Sequence, residues 1–229
     1  LNSKLTLTSA NSINLARLLP QSFYYFNAFR QLPQPDKKLV MAVPSGNYGN
    51  LTAGLIAKKM GLPVTRFLAA TNINDVVPEY LKTGTYKPRP SIATVANAMD
   101  VGDPSNFARI LDLYHNSHSE IEKEVLGFSY SDPEIKTCIK LVKEKYGYIT
   151  DPHGATGFMA LSEFMKKNKG WNGIFLETAH PAKFSETVEN AISEAITIPE
   201  KLAEFGKRKK ISKSIKADYK DLKEYLMEQ

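Results

Sequence analysis

The chain has 229 residues, 42% of them hydrophobic and 24% charged, with a formal net charge of +6 and a single cysteine. That length holds one large domain or two small ones with a proper core. Lone Cys138 excludes an internal disulfide framework and suits a reducing compartment; no apolar run is long enough for a bilayer and no signal-peptide pattern opens the sequence, so a cytoplasmic protein is expected.

Residues 5–8, Leu-Thr-Leu-Thr, alternate as a strand does. The sequence opens on Leu1 already within this pattern, and a preceding segment is expected. Leu15, Leu18, Leu19, Phe23, Phe26 and Phe29 then recur at helical spacing, with Pro20 a kink and Pro33 and Pro35 the stop. Leu39–Val43 is a short apolar run of the kind buried in a parallel sheet. Residues 51–60 read as a helix ended by Gly61, and 64–70 as the next strand. Strand, turn, helix and strand make a βαβ unit with a right-handed connection. Residues 83–106, rich in Gly and Pro, read as loop. Helices are expected over 105–126 and 132–146, a short strand at 148–150, a helix from Ala155 to about Lys167, a strand at 173–176 and a helix over 185–196. The alternation predicts an α/β fold with a mainly parallel sheet and helices on both faces.

Residues 200–229 hold nine Lys/Arg and six Asp/Glu, supplying +3 of the net charge. Lys207-Arg208-Lys209-Lys210 is the densest part. A basic run can bind nucleic acid. This one is interleaved with Glu204, Asp218, Asp221 and Glu224 and has no aromatic platform, so a solvated helical tail is expected. No nucleic-acid or membrane partner is expected.

The turn Pro44-Ser45-Gly46-Asn47-Tyr48-Gly49-Asn50 joins the strand at 39–43 to the helix at 51–60. Its glycines allow close backbone approach and positive φ. Successive N–H groups at a helix start make an anion site. The turn lacks the lysine of a nucleotide P-loop and the third glycine of a dinucleotide fingerprint. A free phosphate on a small cofactor fits it; the alternative is a Gly/Asn-rich loop that only turns the chain.

Continued through Leu51-Thr52-Ala53-Gly54-Leu55, this turn resembles the threonine synthase family of fold-type-II pyridoxal-phosphate enzymes. So do Ser9–Asn14, Ala69–Asp75, Ser91–Asp100, Asp151-Pro152-His153-Gly154-Ala155 and Thr178-Ala179-His180-Pro181-Ala182-Lys183, which lie in family order and cover most of residues 5–195. The resemblance implies a tryptophan synthase β-subunit-like fold. It also implies the cofactor pyridoxal 5′-phosphate and conversion of O-phospho-L-homoserine and water into L-threonine and phosphate. By the same resemblance Gly46, Asn47, Tyr48, Gly49 and Asn50 hold the cofactor phosphate, and the Thr178 hydroxyl meets the pyridine nitrogen. A neutral hydroxyl there does not force a proton onto the ring. The family's Schiff-base lysine stands in an aromatic-Lys-Asp motif well N-terminal to the turn. Upstream of Pro44 there are only Lys4, Lys37 and Lys38, and none matches. The chain is therefore expected to be the C-terminal part of a longer enzyme, without its catalytic lysine and inactive alone. Residues 1–199 would belong to the catalytic region and 200–229 to the tail.

Other candidates carry two readings each. Asn11, Ser12 and Asn14 either contact substrate or cap the first helix. Asn97 and Arg109 flank a loop suited to the substrate phosphate, which guanidinium binds in bidentate fashion; Arg109 is otherwise an exposed helix charge. His153 either stands near the departing phosphate or bonds backbone at a turn, and His180 has the same alternatives. His115 and His118 read as surface residues, and Tyr24, Tyr25 and Phe26 as core or near-core aromatics. No His/Cys spacing suggests a metal site, and Cys138 is a poor nucleophile. The competing functions are another fold-type-II enzyme, a β-replacing synthase or dehydratase, and a non-catalytic anion- or partner-binding homologue.

Overall fold

The computed structural model describes residue 8 and residues 11–228; the strand expected at 5–8 lies, Thr8 apart, outside the described residues. Residues 11–196 form one compact unit, and residues 197–228 belong to a second.

The larger unit begins with α1 (Leu15–Arg30), started by Asn14, whose side-chain oxygen accepts the Ala16 N–H at 3.0 Å. It ends at Gln31, two residues ahead of Pro33. There follow β1 (Leu39–Pro44), α2 (Gly49–Lys59), β2 (Arg66–Thr71) and α3 (Val76–Thr83). A loop with one 3₁₀ turn at Asn97–Met99 leads to α4 (Phe107–Leu113), α5 (His118–Glu124), β3 (Val125–Ser129) and α6 (Asp132–Tyr146). The unit closes with α7 (Pro152–Lys167), β4 (Asn172–Phe175), a 3₁₀ turn at Pro181–Phe184 and α8 (Ser185–Ile192).

The four strands are parallel in the order β3-β2-β1-β4. In register, Val40 stands opposite Arg66, Leu39 opposite Asn172 and Phe67 opposite Val125. All six residues of β1 are buried, as a strand covered on both faces requires. Alternation sends Leu39, Met41, Val43, Phe67 and Ala69 into a core with Tyr25 of α1, Leu51 and Leu55 of α2 and Phe107 of α4. Val40, Ala42, Leu68 and Ala70 point the other way, onto Ile135 and Ile139 of α6, Ala155 and Ala160 of α7 and Val188 of α8. Helices thus cover both faces, as the sequence predicts.

Several boundaries differ from the sequence reading. The helix expected over 105–126 breaks at His115 and Asn116, both left-handed with φ of 50° and 58°. Its last residues continue as β3, the outer strand beside β2. Residues 148–150 form no strand. Helix α7 starts at Pro152 rather than Ala155, because Asp151 caps it and Pro152 fills its first position. Helix α8 stops at Ile192, where Ser193 turns left-handed. Tyr24 is 66% exposed rather than near the core. His118 is half-buried, its ring 5.1 Å from that of Tyr80 and its Nε2 3.0 Å from the Leu81 carbonyl.

In the second unit, α9 (Glu200–Lys207) and α10 (Tyr219–Met227) bury none of their residues. Among the described residues no helix is long and apolar enough to cross a membrane, and no His/Cys/Asp/Glu group could hold a metal ion.

Candidate active site

Strand β4 lies on the opposite side of β1 from β2. The chain's direction of travel across the sheet therefore reverses between β1 and β4, and ligands of open parallel sheets bind outside the strand ends at such a reversal. The 44–50 turn leaves β1 there, and residues 176–180 leave β4 beside it. The first bond of α2 runs from the Thr52 N–H to the Tyr48 carbonyl at 2.9 Å. The N–H groups of residues 49–51 therefore precede the helix's own ladder and are open to an anion.

The glycines serve packing rather than positive φ. A β-carbon on residue 46 would lie 2.6 Å from the Ala98 carbonyl oxygen and 2.7 Å from the Met99 α-carbon. On residue 49 it would lie 3.0 Å from the Ser12 β-carbon. The left-handed residue of the turn is instead Tyr48, with φ of 60°. Its ring is buried and meets Phe107 edge-on at 6.3 Å. That contact over-determines a conformation that is costly for a residue with a side chain.

A cavity of about 340 Å³ opens on the turn. Residues 46–50 form one wall; His153, Thr178, Lys183, Ser12 and Arg17 line the rest. The Asn47 amide braces this wall: its nitrogen donates to Ser12 Oγ at 3.1 Å and its oxygen accepts from the Ser105 N–H at 2.7 Å. Tyr25 of α1 donates its hydroxyl to Asn50, at 2.7 Å to the carbonyl and 2.8 Å to the side-chain oxygen. Behind Gly46, the loop at 91–100 is fixed by a buried polar network. Asn72 Nδ2 donates to Thr94 Oγ1 and Asp100 Oδ1 at 2.8 Å, and Asn74 Nδ2 to the Ile92 carbonyl at 2.8 Å. The Ala69–Asp75 and Ser91–Asp100 motifs are therefore two halves of one clamp that presses residues 98 and 99 onto Gly46.

His153 is buried, with its Nδ1 2.6 Å from Asp151 Oδ1 and its Nε2 accepting the Ala98 N–H at 3.2 Å. An Nε2 that accepts must be unprotonated, so the ring is neutral with its proton on Nδ1, donated to Asp151. The imidazole thereby ties α7 to the residues packed on Gly46. Asp151 also accepts the His153 N–H at 2.7 Å. Burial pushes the Asp151 carboxyl up, but the bonds from His153 and Glu177 outweigh it and hold the group below its usual range. Burial first, then Asp151, push Glu177 up to about 8.

A family model described as pyridoxal-phosphate dependent enzyme matches residues 10–173, well over half of the chain. The chain belongs to the pyridoxal-phosphate-dependent enzyme family. A second model, threonine synthase, C-terminal, matches residues 154–226. Curated relatives include the threonine synthase of Escherichia coli, 44% identical over 97% of this chain and 51% of its own length. The crystal structure of threonine synthase from Escherichia coli superposes with a TM-score of 0.91, at 44% identity over 99% of this chain and 52% of that one. The threonine synthase from Brucella melitensis, with pyridoxal phosphate bound, gives 0.86, at 32% identity over 99% and 53%. The chain spans about half the length of the relatives it matches.

The residues present suit this family's cofactor. N–H groups ahead of a helix ladder face one end of the cavity, and a threonine hydroxyl stands at the end of β4. Ser12 joins the turn, Thr178 and His153 at the cavity; Asn11, Asn14, Asn97 and Arg109 do not line it. Asn14 caps α1, and Asn11 Oδ1 accepts the Ile13 N–H at 3.1 Å. Asn97 is exposed over a separate surface hollow. Arg109 is half-buried and donates to the Ile13 carbonyl, which ties α4 to the segment before α1. His180 Nδ1 accepts the Ala182 N–H at 3.1 Å and starts the 3₁₀ turn.

Sequence reasoning missed Arg17, Gln21 and Lys183 as lining residues. The spacing of Arg17 and Gln21, four apart on α1, places them on one helix face. The aromatic-Lys-Asp pattern does occur at Tyr219-Lys220-Asp221, on α10, where exposed Lys220 pairs with Glu224 at 4.0 Å. Cys138 is 6% exposed, and burial pushes its thiol up to about 12, which removes it as a nucleophile.

Proposed function

We propose that the complete protein is a threonine synthase, converting O-phospho-L-homoserine and water into L-threonine and phosphate with pyridoxal 5′-phosphate. In this reading the chain supplies the cofactor's phosphate cradle and the neutral hydroxyl at its ring. The observation that carries it is the convergence of the 46–50 turn, Thr178 and His153 on one cavity at the sheet's reversal point. The 44% identity with a threonine synthase over nearly the whole chain supplies the reaction.

When bound, pyridoxal phosphate supplies the electron sink for carbanion chemistry. This chain's residues bind and orient. The N–H groups of the turn and the start of α2 would hold the phosphate. Thr178 would offer the ring a neutral hydroxyl, which does not charge it. His153, with both ring nitrogens engaged by protein, holds residues 98 and 99 in place rather than moving a proton. Lys183 and Arg17 bring positive charge to the cavity and favour an anionic substrate.

The test is product analysis on the complete protein given pyridoxal phosphate and O-phospho-L-homoserine. Threonine and phosphate are expected in equal amounts. Turnover of L-serine with none of O-phospho-L-homoserine would replace this reading with a dehydratase. The 229-residue chain alone is expected to yield no threonine, since none of its lysines lies in the family's motif upstream of the turn; measurable threonine from it would overturn that assignment.

A further inference from the structure

Two carboxyl groups meet behind Thr178. Glu177 follows the end of β4, and its Oε1 accepts the Thr150 hydroxyl at 2.5 Å. Its carboxylate fills the space over Gly154: a β-carbon there would lie 2.3 Å from both oxygens. Asp151, fully buried, caps α7 and spends its Oδ1 on the N–H and Nδ1–H of His153. Two oxygens remain, Asp151 Oδ2 and Glu177 Oε2. Each is buried and has no hydrogen-bond partner among the described residues. Thr150, the chain neighbour of Asp151, holds the Glu177 carboxylate over Gly154 in the first turn of the helix that Asp151 caps, so both carboxyls sit at the start of α7.

Ionised carboxylates only accept, so two such oxygens cannot satisfy one another, and each orphan is costly in a low-dielectric site. One proton between them satisfies both. Asp151 already holds two donors, one of them the His153 ring, which favour its charge. Glu177 has a single neutral donor in a buried setting, which favours its acid form.

We propose that Glu177 is a positioning residue that is protonated at neutral pH, donates its carboxyl proton to Asp151, and so pins the end of β4, with Thr178, to the start of α7. The proton forms no new covalent bond; it stays on Glu177 and is shared with Asp151 Oδ2. The other titratable groups around the pair are His153 on α7, Tyr148 in the loop before it, and Arg17 and Tyr24 of α1, which line a cavity of about 660 Å³ beside Glu177. Loss of the proton places two negative charges together and frees the strand end. This device operates whichever ligand the cavity takes, so it stands or falls separately from the threonine synthase reading.

Infrared spectroscopy of the 229-residue chain reads the proton directly. At pH 7 the wild type is expected to show the C=O stretch of a protonated carboxylic acid, bleaching with a midpoint near pH 8. Glu177→Gln is expected to lack that band. No such band in the wild type, or its survival in Glu177→Gln, overturns the proposal. Amide exchange at residues 176–179, corrected for intrinsic rates, reads the positioning. Protection in the wild type is expected to fall about ten-fold between pH 7 and 9, as one pH unit beyond the midpoint implies. Glu177→Gln donates an amide N–H in place of the carboxyl proton, so its protection is expected to stay high and flat across that range. An equal fall in Glu177→Gln overturns the proposal, and that conservative variant keeps the test open if Glu177→Ala does not fold.

Discussion

Gly46 carries more of the site than its conformation suggests, because the space it leaves is filled by the backbone of residues 98 and 99. Gly46→Ala is expected to cost about 1–3 kcal/mol, as overpacking against immovable backbone does, read from urea denaturation midpoints. A neutral result would mean that the clamp gives way. Gly49→Val acts on Ser12 and Asn106, so any loss of cofactor affinity would come through the displaced wall. Cys138 is expected to resist alkylation in the native chain at pH 8, because only about one thiol in 10⁴ is ionised when burial holds the group near 12; rapid labelling would contradict its burial. Glu177 sets a pH dependence of defined sign. Its folded value of about 8 exceeds the ordinary 4.5, so the folded chain holds an extra proton between those limits. Stability falls as pH rises through that window, by at most about 1.4 kcal/mol per unit, and levels off above it. Asp151, held low in the fold, contributes the opposite trend below the carboxylate range. The difference between wild type and Glu177→Gln in midpoints across pH 5–9 isolates the Glu177 slope; identical curves would remove it.

At the scale of elements, the clamp at 91–100 behaves as one body because Asn72, Asn74, Thr94 and Asp100 satisfy each other. Asn72→Ala leaves the buried Asn74 N–H without its acceptor and removes a donor from Thr94 and Asp100. It is expected to cost about 1–3 kcal/mol and to raise amide exchange at residues 94–99; unchanged exchange would show the loop held by other means. Much of this architecture was legible beforehand. The apolar run at 39–43, the following turn and the helix to Lys59 announce themselves by composition and period. The network behind the turn is legible only as motif, since the bonds that join its two segments span 18 to 28 residues. Only the first two residues of strand β3 fell within the expected helix, and the rest was given no element: Val125-Leu126-Gly127-Phe128-Ser129 directly follows Glu124, and as an outer strand it is only partly buried. The hidden break before it lies at His115 and Asn116, where asparagine's tolerance of left-handed φ is the one local signal. The pairing of Asp151 with Glu177 joins positions 26 apart through a sheet end, which no periodicity records.

The molecule comprises a densely packed unit and a second one that holds a basic tail, whose helices have no fully buried residue. A chain ending at residue 196 is accordingly expected to unfold cooperatively, with a melting temperature within a few degrees of the full chain's, as the loss of about 1 kcal/mol would give; collapse of the transition would show that the tail completes the fold. Within the larger unit, β1 is hydrogen-bonded to β2 on one side and β4 on the other, and the turn grows from its end. Its walls are further fixed by Tyr25 and by His153. The entropy of immobilising this cradle is therefore spent during folding. Under the proposed function, a phosphate arriving there would meet a receptor that is already rigid, and the affinity of its few N–H contacts would not be diluted by the ordering of a loose loop.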